Sequence, residues 1–125
     1  MLPQVGHKIL VVDHERDLVA TCVRLLSSRQ YAGLAAYTGR HAIDLITREQ
    51  PVLVVTDLSL PDISGLDVLR HAREQAPPIP GIIMTGYQSP VTMDFAYDVG
   101  ARLYLPKPFS NAAFLGAIER VLPRG

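Results

Sequence analysis

The sequence contains a single cysteine, Cys22, so no disulfide can form within the chain. A chain without internal disulfides is typical of a reducing compartment such as the cytosol. Cys22 lies among Leu18, Val19, Val23 and Leu26 at helical spacing. This pattern predicts that the cysteine is a small buried hydrophobic residue of a helix.

The sequence also lacks long apolar runs and an excess of charge of one sign. No apolar stretch approaches the roughly 20 residues that a membrane-spanning helix needs. Residues 1–8 lack the basic flank and the long apolar region of a secretion signal. Twelve basic and twelve acidic residues cancel, so no charge pattern indicates a membrane surface or direct binding of nucleic acid. We therefore expect a cytoplasmic protein.

The length of the chain limits the number of domains. A chain of 125 residues can bury one hydrophobic core but is too short for a second. Its 48% hydrophobic and 19% charged residues are ordinary for a globular α/β protein. No linker, repeat or low-complexity segment interrupts the sequence, which predicts a single domain over residues 1–125.

Short apolar segments alternate with helical patterns five times along the chain. We predict strands over residues 8–12, 34–36, 52–56, 81–85 and 101–105, with helices over 16–29, around 42–46, over 65–75, over 90–99 and after Ser110. Ser64, Ser89 and Ser110 are predicted N-caps. The unbroken apolar segment 52–56 is typical of a parallel strand that is buried on both faces. The alternation predicts an α/β fold with right-handed crossovers and a doubly wound parallel sheet.

A polar residue follows each of four predicted strands at the point where the strand ends. These residues are Asp13, Asp57, Thr85 and Lys107. In an open parallel sheet the carboxyl ends of the strands meet at one edge, where such folds bind ligands. We therefore expect the four residues to form one site. A carboxylate nucleophile beside a lysine and a hydroxyl suggests phosphoryl chemistry.

Six segments together resemble the receiver domain of bacterial two-component response regulators, in the flavodoxin-like superfamily. They are ILVVD at 9–13, TDLSLP at 56–61, SG at 64–65, MTG at 84–86, GA at 100–101 and YLPKPF at 104–109. Each segment is weak by itself, but their order and spacing make the resemblance specific. The resemblance covers essentially the whole chain. It implies a five-stranded parallel sheet of order 2-1-3-4-5, five flanking helices and a site between the first and third strands.

The resemblance also implies a role for each residue of the site. Asp57 corresponds to the residue that accepts a phosphoryl group from a sensor histidine kinase or a phosphotransfer protein. Lys107 would contact the phosphoryl oxygens, and Thr85 would donate its hydroxyl to one of them. Tyr104 matches an aromatic switch that moves with Thr85. The peptide bond between Lys107 and Pro108 resembles the family's cis peptide.

The same resemblance implies a magnesium site with one departure from the family pattern. Asp13, Asp57 and the backbone carbonyl of Ser59 would be the Mg²⁺ ligands. His14 takes the position of an acidic ligand, and imidazole suits transition metals better than Mg²⁺. If one ligand is worth roughly 1.5–3 kcal/mol, Mg²⁺ binding should weaken by about one or two orders of magnitude. Mn²⁺ is the expected substitute.

The departure at His14 leaves three outcomes open. Phosphorylation persists with a weaker dependence on Mg²⁺, Glu15 partly substitutes as a ligand, or the domain signals without phosphorylation. We also consider that protonated His14 pairs with Asp13 or Asp57 and partly replaces the cation, since neighbouring carboxylates favour the charged imidazole.

The function implied is a phosphoacceptor signalling domain, not a classical enzyme, although self-catalysed phosphoryl transfer and dephosphorylation remain compatible with it. It would regulate a downstream protein or an output domain outside this chain, and could dimerise through the fourth helix, fifth strand and fifth helix. The alternative is a receiver-like interaction module with a silent site. Two rivals fit less well. A haloacid-dehalogenase-type phosphatase requires an aspartate at the position of Ser59. A flavodoxin-like electron carrier requires a glycine- and hydroxyl-rich loop at residues 13–16.

Simpler interpretations stand beside these roles. Asp13 and Asp57, each taken alone, read as caps of the turns that follow them. Phe95 and Phe114 are expected in the core. The remaining histidines, His7, His41 and His71, are expected at the surface. The position of Tyr87, two residues after Thr85, is left open between the site and the surface.

Overall fold

Five parallel strands alternate with five helices in the computed structural model of the chain, which describes residues 6–86 and 90–122, with the backbone alone for 90–92. The elements are β1 (Lys8–Val12), α1 (Arg16–Ser28), β2 (Ala32–Ala36), α2 (Gly39–Glu49), β3 (Leu53–Asp57), α3 (Gly65–Arg73), β4 (Gly81–Thr85), α4 (Pro90–Asp98), β5 (Ala101–Pro106) and α5 (Asn111–Val121). The strands form one sheet of order β2-β1-β3-β4-β5. The predicted α/β fold and strand order are therefore confirmed.

The sheet is buried on both faces, as its continuous apolar strands predict. Ile9 and Val11 of β1 face a core layer that contains Cys22 and Phe114, from α1 and α5. The alternate β1 residues Leu10 and Val12 face a second layer, built with residues of α2 and α3 that include Ala42, Ile46, Val68 and Leu69. The two layers hold the sheet rigidly between helices, so the ends of its strands are fixed relative to one another.

Cys22 is fully buried, as its neighbours in the sequence predict. Burial raises the pKa of its thiol to about 12, and the negative charge of Asp13 adds to the effect. The thiol is therefore uncharged at neutral pH and acts as an apolar packing group.

Two predicted helix caps are confirmed. The Ser64 side chain accepts a hydrogen bond from the Leu66 N–H, and the Ser110 side chain accepts one from the Ala113 N–H. The third predicted cap, Ser89, lies outside the described residues, as does Tyr87. None of the helices in the described ranges is long and apolar enough to cross a membrane.

The second strand is longer than its sequence indicates, because it begins at Ala32 and not at Leu34. Ala32 and Gly33 carry little β-strand signal of their own. They are extended because they pair with Lys8 and Ile9 of β1. A Cβ at Gly33 would lie 3.0 Å from Val23 Cγ1, so α1 packs directly onto the strand there. Partners distant in the sequence determine this end of the strand.

The prediction that Phe95 lies in the core is wrong, whereas Phe114 is fully buried as predicted. The Phe95 side chain on α4 is 52% exposed, and the nearby Tyr97 is 44% exposed. Ala96 and Val99 take the buried positions of this helix. Because α4 carries apolar residues on more than one side, their spacing does not identify the inward face.

Of the three other histidines, His7 and His41 are exposed as predicted, but His71 is half-buried. Its Nε2 lies 2.8 Å from Thr47 Oγ1, so it contributes to the contact between α2 and α3. His71 is therefore a partly covered surface residue, because the neighbouring helix α2 lies against that side of α3.

Gly65 brings the start of α3 against the end of β3. Its N–H donates to the Leu58 carbonyl at 2.8 Å, and a Cβ at this position would clash with the Asp57 carbonyl oxygen. A glycine here therefore allows the helix to approach the backbone of Asp57 closely. The loop between β3 and α3 is compact as a result.

Gly65→Ala should destabilise the fold by about 2–3 kcal/mol, because the added methyl group overpacks a contact with rigid backbone. Gly116→Ala is the matched control, since a Cβ at Gly116 of α5 meets nothing within 4 Å. The control should stabilise the fold by about 0.5–1 kcal/mol. Urea denaturation measures both changes. Equal free energies of unfolding for the two variants would show that the close approach at Gly65 is unimportant.

Candidate functional site

The carboxyl ends of four strands bring Asp13, Asp57, Thr85 and Lys107 to one edge of the sheet. β1 and β3 pair in register, with Val12 opposite Thr56. Between β3 and β4, Asp57 lies opposite Met84. Between β4 and β5, Thr85 lies opposite Pro106. This register places Asp13 and Asp57 at one level, Thr85 one residue beyond it and Lys107 two residues beyond it, so all four lie at the same edge of the sheet. Asp13, Asp57 and Thr85 are all buried, with exposed fractions of 0%, 6% and 4%.

Lys107 lies between the acidic groups of this edge. Its Nζ lies 2.6 Å from Asp13 Oδ2, 3.5 Å from Glu15 Oε1 and 3.6 Å from Asp57 Oδ2. Asp13 is thus its closest partner, and Asp57 is a near contact. The side chain of Lys107 is only 17% exposed, so the ammonium group is held at the site and does not extend into solvent.

The pKa of Lys107 reflects two opposed effects. Partial burial lowers the pKa. The hydrogen bond and charge of Asp13, with smaller contributions from Asp57 and Glu15, raise it by more than burial lowers it. The net pKa is raised above the ordinary lysine value. The ammonium group therefore stays positively charged near neutral pH, which a group that contacts anions requires.

The pKa of Asp57 is raised above the ordinary aspartate value. Burial is the main cause, and the charge of Asp13 acts in the same direction. Lys107 and the backbone N–H groups of Ser59 and Leu58 lower the pKa but do not cancel the shift. The negative charge of Asp57 is thus incompletely compensated in the metal-free protein, so a cation or loss of the negative charge would relieve it.

His14 lies at the rim of the same site. Its Nδ1 is 3.6 Å from Asp13 Oδ1 and 4.0 Å from Asp57 Oδ2, and its side chain is 57% exposed. Both distances exceed those of a hydrogen bond. Asp13, His14 and Asp57 each offer one donor atom within 4.8 Å of the others. The two carboxylates fit the all-oxygen shell that Mg²⁺ prefers, but the imidazole does not.

Glu15 contacts both Asp13 and Lys107. The sequence suggested Glu15 only as a substitute metal ligand. Its backbone N–H donates to Asp13 Oδ1 at 2.9 Å, and its carboxylate approaches Lys107. The first contact fixes the Asp13 carboxylate from the side opposite Lys107. The Asp13 side chain is therefore held through both of its oxygens.

Asp62 is a positioning residue that sequence reasoning missed. Its carboxylate accepts hydrogen bonds from the N–H groups of Gly39, Arg40 and Ile63 at 2.8–2.9 Å. It thereby ties the loop after Asp57 to the first turn of α2. Desolvation opposes these backbone hydrogen bonds, but the pKa of Asp62 is lowered on balance. An aspartate after a proline reads as a turn residue, so no sequence signal indicated this contact.

The two predicted switch residues occupy adjacent strands. Thr85 is buried at the end of β4, and its carbonyl accepts a hydrogen bond from the Lys107 N–H at 2.8 Å. Tyr104 of β5 lies opposite Ile83 and is half-buried against the second core layer. The peptide bond between Lys107 and Pro108 is cis. The backbone after β5 is therefore joined directly to the end of β4.

A cavity of about 440 Å³ opens beside the lysine, and sequence reasoning did not identify it. It lies between the loops that follow β1, β4 and β5, and it is lined by Glu15, Leu18, Gly86, Lys107, Pro108 and Phe109. Its walls combine apolar side chains with one charge of each sign. A partner's side chain could enter here and reach the acidic groups from the side.

Asp57→Asn should stabilise the fold near neutral pH in metal-free buffer. Because the folded-state pKa of Asp57 is raised, its ionisation costs stability as the pH rises through that pKa, and the cost is absent below the unfolded value of about 3.9. The gain should therefore vanish in acid. Urea denaturation at both pH values measures it.

Asp67→Asn serves as the control, because Asp67 is an exposed carboxylate paired with Arg70 at 2.8 Å. Its removal should change stability by less than about 0.5 kcal/mol. A variant at Asp57 that is no more stable than the parent protein near neutral pH would contradict the charge imbalance at the site.

Sequence comparison gives one family and a set of relatives. The family described as response regulator receiver domain matches residues 9–119. Response regulator MprA of Mycolicibacterium vanbaalenii is 36% identical over 117 residues, which are 94% of this chain and 51% of that protein. MprA of Mycobacterium sp. strain KMS is 35% identical with the same coverage. The chain spans about half the length of the curated relatives it matches.

Structural comparison agrees with the sequence comparison. The CheY-like receiver domain protein of Methanospirillum hungatei has a TM-score of 0.88 at 28% identity, over 94% of each chain. The beryllofluoride-activated receiver domain dimer of NtrC4 has a TM-score of 0.84 at 31% identity, over 90% of this chain and 93% of that one. The chain thus belongs to the response regulator receiver domain family of two-component systems, whose members are signalling domains and not classical enzymes.

Proposed function

We propose that residues 1–125 form one receiver domain whose Asp57 accepts a phosphoryl group from the phosphohistidine of a sensor histidine kinase or phosphotransfer protein. The observation that carries the proposal is the position of Asp57. It is a nearly buried carboxylate with an incompletely compensated charge, and it lies 3.6 Å from the ammonium group of Lys107. The phosphorylated domain then regulates a downstream protein or an output domain.

The proposed reaction is an in-line displacement at phosphorus. A carboxylate oxygen of Asp57 forms the new P–O bond while the P–N bond of the donor phosphohistidine breaks, and the imidazole nitrogen keeps the electron pair. The product is an acyl phosphate on Asp57. Charge accumulates on the peripheral phosphoryl oxygens, so catalysis consists mostly of positioning and charge neutralisation.

Lys107 and Thr85 are the groups of this chain that would stabilise those oxygens. Asp13 holds the Lys107 ammonium at 2.6 Å, which keeps its positive charge beside the acceptor before the donor arrives. The Thr85 side chain is buried at the end of the neighbouring strand and would donate its hydroxyl to a second phosphoryl oxygen. Both groups come from strands on the same side of Asp57 in the sheet order.

The metal ligands in this proposal are Asp13, Asp57 and the backbone carbonyl of Ser59. A divalent cation bound there would supply positive charge opposite the lysine. Because the His14 imidazole does not suit Mg²⁺, we expect Mg²⁺ to bind more weakly than an all-oxygen site would allow, with Mn²⁺ as a substitute.

The output of the proposed switch is the face built by α4, β5 and α5. Movement of Thr85 towards the phosphoryl group would leave space for Tyr104, which is half-buried on β5, to turn inward. The Phe95 ring on α4 is 52% exposed and offers apolar surface for a protein contact through this helix. The chain could form a homodimer there or bind its target.

A silent interaction module is the second candidate function. His14 favours it, because this residue replaces an acidic ligand. The 2.6 Å ion pair between Lys107 and Asp13 also favours it, since Asp13 already has a cationic partner without a metal ion. In this alternative the α4–β5–α5 face would act without phosphorylation.

Incubation with acetyl phosphate and either Mg²⁺ or Mn²⁺ tests the phosphoacceptor directly. Intact mass should increase by about 80 Da, one phosphoryl group, and Asp57→Asn should abolish the increase. Asp44→Asn is the matched control, since Asp44 is an exposed carboxylate on α2, and it should be labelled like the parent protein. No mass increase with either metal would favour the silent module.

Phosphorylation should also change the oligomeric state. If the α4–β5–α5 face pairs two copies, light scattering after size-exclusion chromatography should show a dimer of the labelled protein, and Phe95→Ser should reduce dimerisation at least tenfold. Ala20→Ser is the control, because Ala20 is exposed on α1, a helix outside the α4–β5–α5 face. A labelled protein that stays monomeric, or a dimer that tolerates Phe95→Ser, would contradict this face as the dimer contact.

A further inference from the structure

We infer that Asp13, His14 and Asp57 bind a divalent first-row transition-metal ion in preference to Mg²⁺, with Nδ1 of His14 as a direct ligand. The inference concerns the cation of the proposed phosphoacceptor site and rests on that proposed function for its biological meaning. Which donor atoms hold which class of ion does not depend on whether Asp57 is phosphorylated.

The distances between the three donors suit a transition-metal ion after a small movement. His14 Nδ1 lies 3.6 Å from Asp13 Oδ1 and 4.0 Å from Asp57 Oδ2, and the chosen donors all lie within 4.8 Å of one another. Metal–ligand bonds of about 2.0–2.2 Å place neighbouring ligands roughly 3–3.5 Å apart. The two distances from His14 Nδ1 exceed these values by no more than about 1 Å, so a small movement of the imidazole brings it within ligand range of an ion on the carboxylates.

Histidine 14 is the residue that can make this movement. The Asp13 carboxylate is fixed by Lys107 on one oxygen and by the Glu15 N–H on the other. Asp57 is buried at the end of a central strand. The His14 ring is 57% exposed and is not within hydrogen-bond distance of either carboxylate. The imidazole can therefore rotate onto an ion that the two fixed carboxylates have already attracted.

The charges at the site require a cation. Asp13 and Asp57 place two carboxylates in a buried environment, and Glu15 adds a third at the rim, whereas Lys107 supplies one ammonium group within 4 Å of all three. Buried carboxylates that are incompletely paired are costly. A divalent ion bound by Asp13 and Asp57 would neutralise the excess.

The nitrogen donor decides which ion is preferred. Mg²⁺ requires a near-ideal octahedron of oxygen ligands and loses its water reluctantly. Imidazole is a good ligand for cobalt, nickel and zinc ions, and affinity for mixed nitrogen and oxygen sites rises from Mn²⁺ through Co²⁺ to Ni²⁺. We therefore expect Co²⁺ to bind more tightly than Mn²⁺, and both to bind more tightly than Mg²⁺.

Two measurements test the inference without any assay of phosphorylation. Calorimetric titration of the metal-free full chain should give an affinity for Co²⁺ at least a hundredfold above that for Mg²⁺. Replacing the imidazole by a carboxylate in His14→Asp should raise the Mg²⁺ affinity by about ten- to hundredfold and lower that ratio. Pulsed electron paramagnetic resonance of the Mn²⁺-loaded protein should show ¹⁴N modulation from a bound imidazole, and His14→Asp should remove it.

His41→Gln is the control for both measurements, because His41 is exposed at the start of α2 and should leave the metal affinities and the ¹⁴N signal unchanged. Absence of ¹⁴N modulation in the parent protein, its persistence in His14→Asp, or equal affinities for Co²⁺ and Mg²⁺ would overturn the inference.

Labelling of Asp57 by acetyl phosphate separates this result from the proposed function. Normal labelling with Mg²⁺ and no ¹⁴N signal would reject the nitrogen ligand but leave the phosphoacceptor in place. A clear ¹⁴N signal in a protein that no metal renders labelled would support the metal site and reject the phosphoacceptor.

Discussion

The ion pair between Lys107 and Asp13 is the contact on which the site depends. The two residues are 94 positions apart in the sequence and follow β5 and β1, with β3 and β4 between them in the sheet. The 2.6 Å contact therefore crosses the ends of the two strands that carry Asp57 and Thr85. It holds a positive charge beside the Asp57 carboxylate and compensates Asp13, which is completely buried.

Lys107 compensates only part of the acidic charge at the site. Lys107 is close to Asp13 but 3.6 Å from Asp57, and the pKa of Asp57 is raised, mainly by burial. A buried carboxylate of this kind gains from binding a cation. The same imbalance that lowers the stability of the fold thus favours binding of a cation at Asp57. His14 modifies this balance by offering nitrogen where an all-acid site would offer oxygen.

Backbone contacts hold the loop after Asp57 in a fixed position. Asp62 fastens the loop to the first turn of α2 through three N–H groups, and Gly65 lets α3 approach the Asp57 carbonyl. The loop is therefore held from both neighbouring helices. In the proposed phosphoryl transfer, these contacts would keep the Asp57 oxygen aligned with the phosphorus.

Local patterns determined the elements and the edge of the sheet at which the polar residues meet. The apolar runs of β1 and β3 predicted buried parallel strands, Ser64 and Ser110 predicted helix starts, and the polar residues after the strands predicted a common site. These features depend on residues that are neighbours in the sequence, so the sequence alone carries them.

Tertiary structure decided which side of an element is covered and which partner each charged group has. Phe95 is exposed because Ala96 and Val99 occupy the inner side of α4, and β2 begins at Ala32 because β1 pairs with it there. Asp62 caps helix α2 through the N–H of Arg40, which lies 22 residues earlier in the chain. Lys107 lies closer to Asp13 than to Asp57. In each case, groups that are distant in the sequence compete for the same position or partner. Only their positions in the folded chain decide which of them makes the contact.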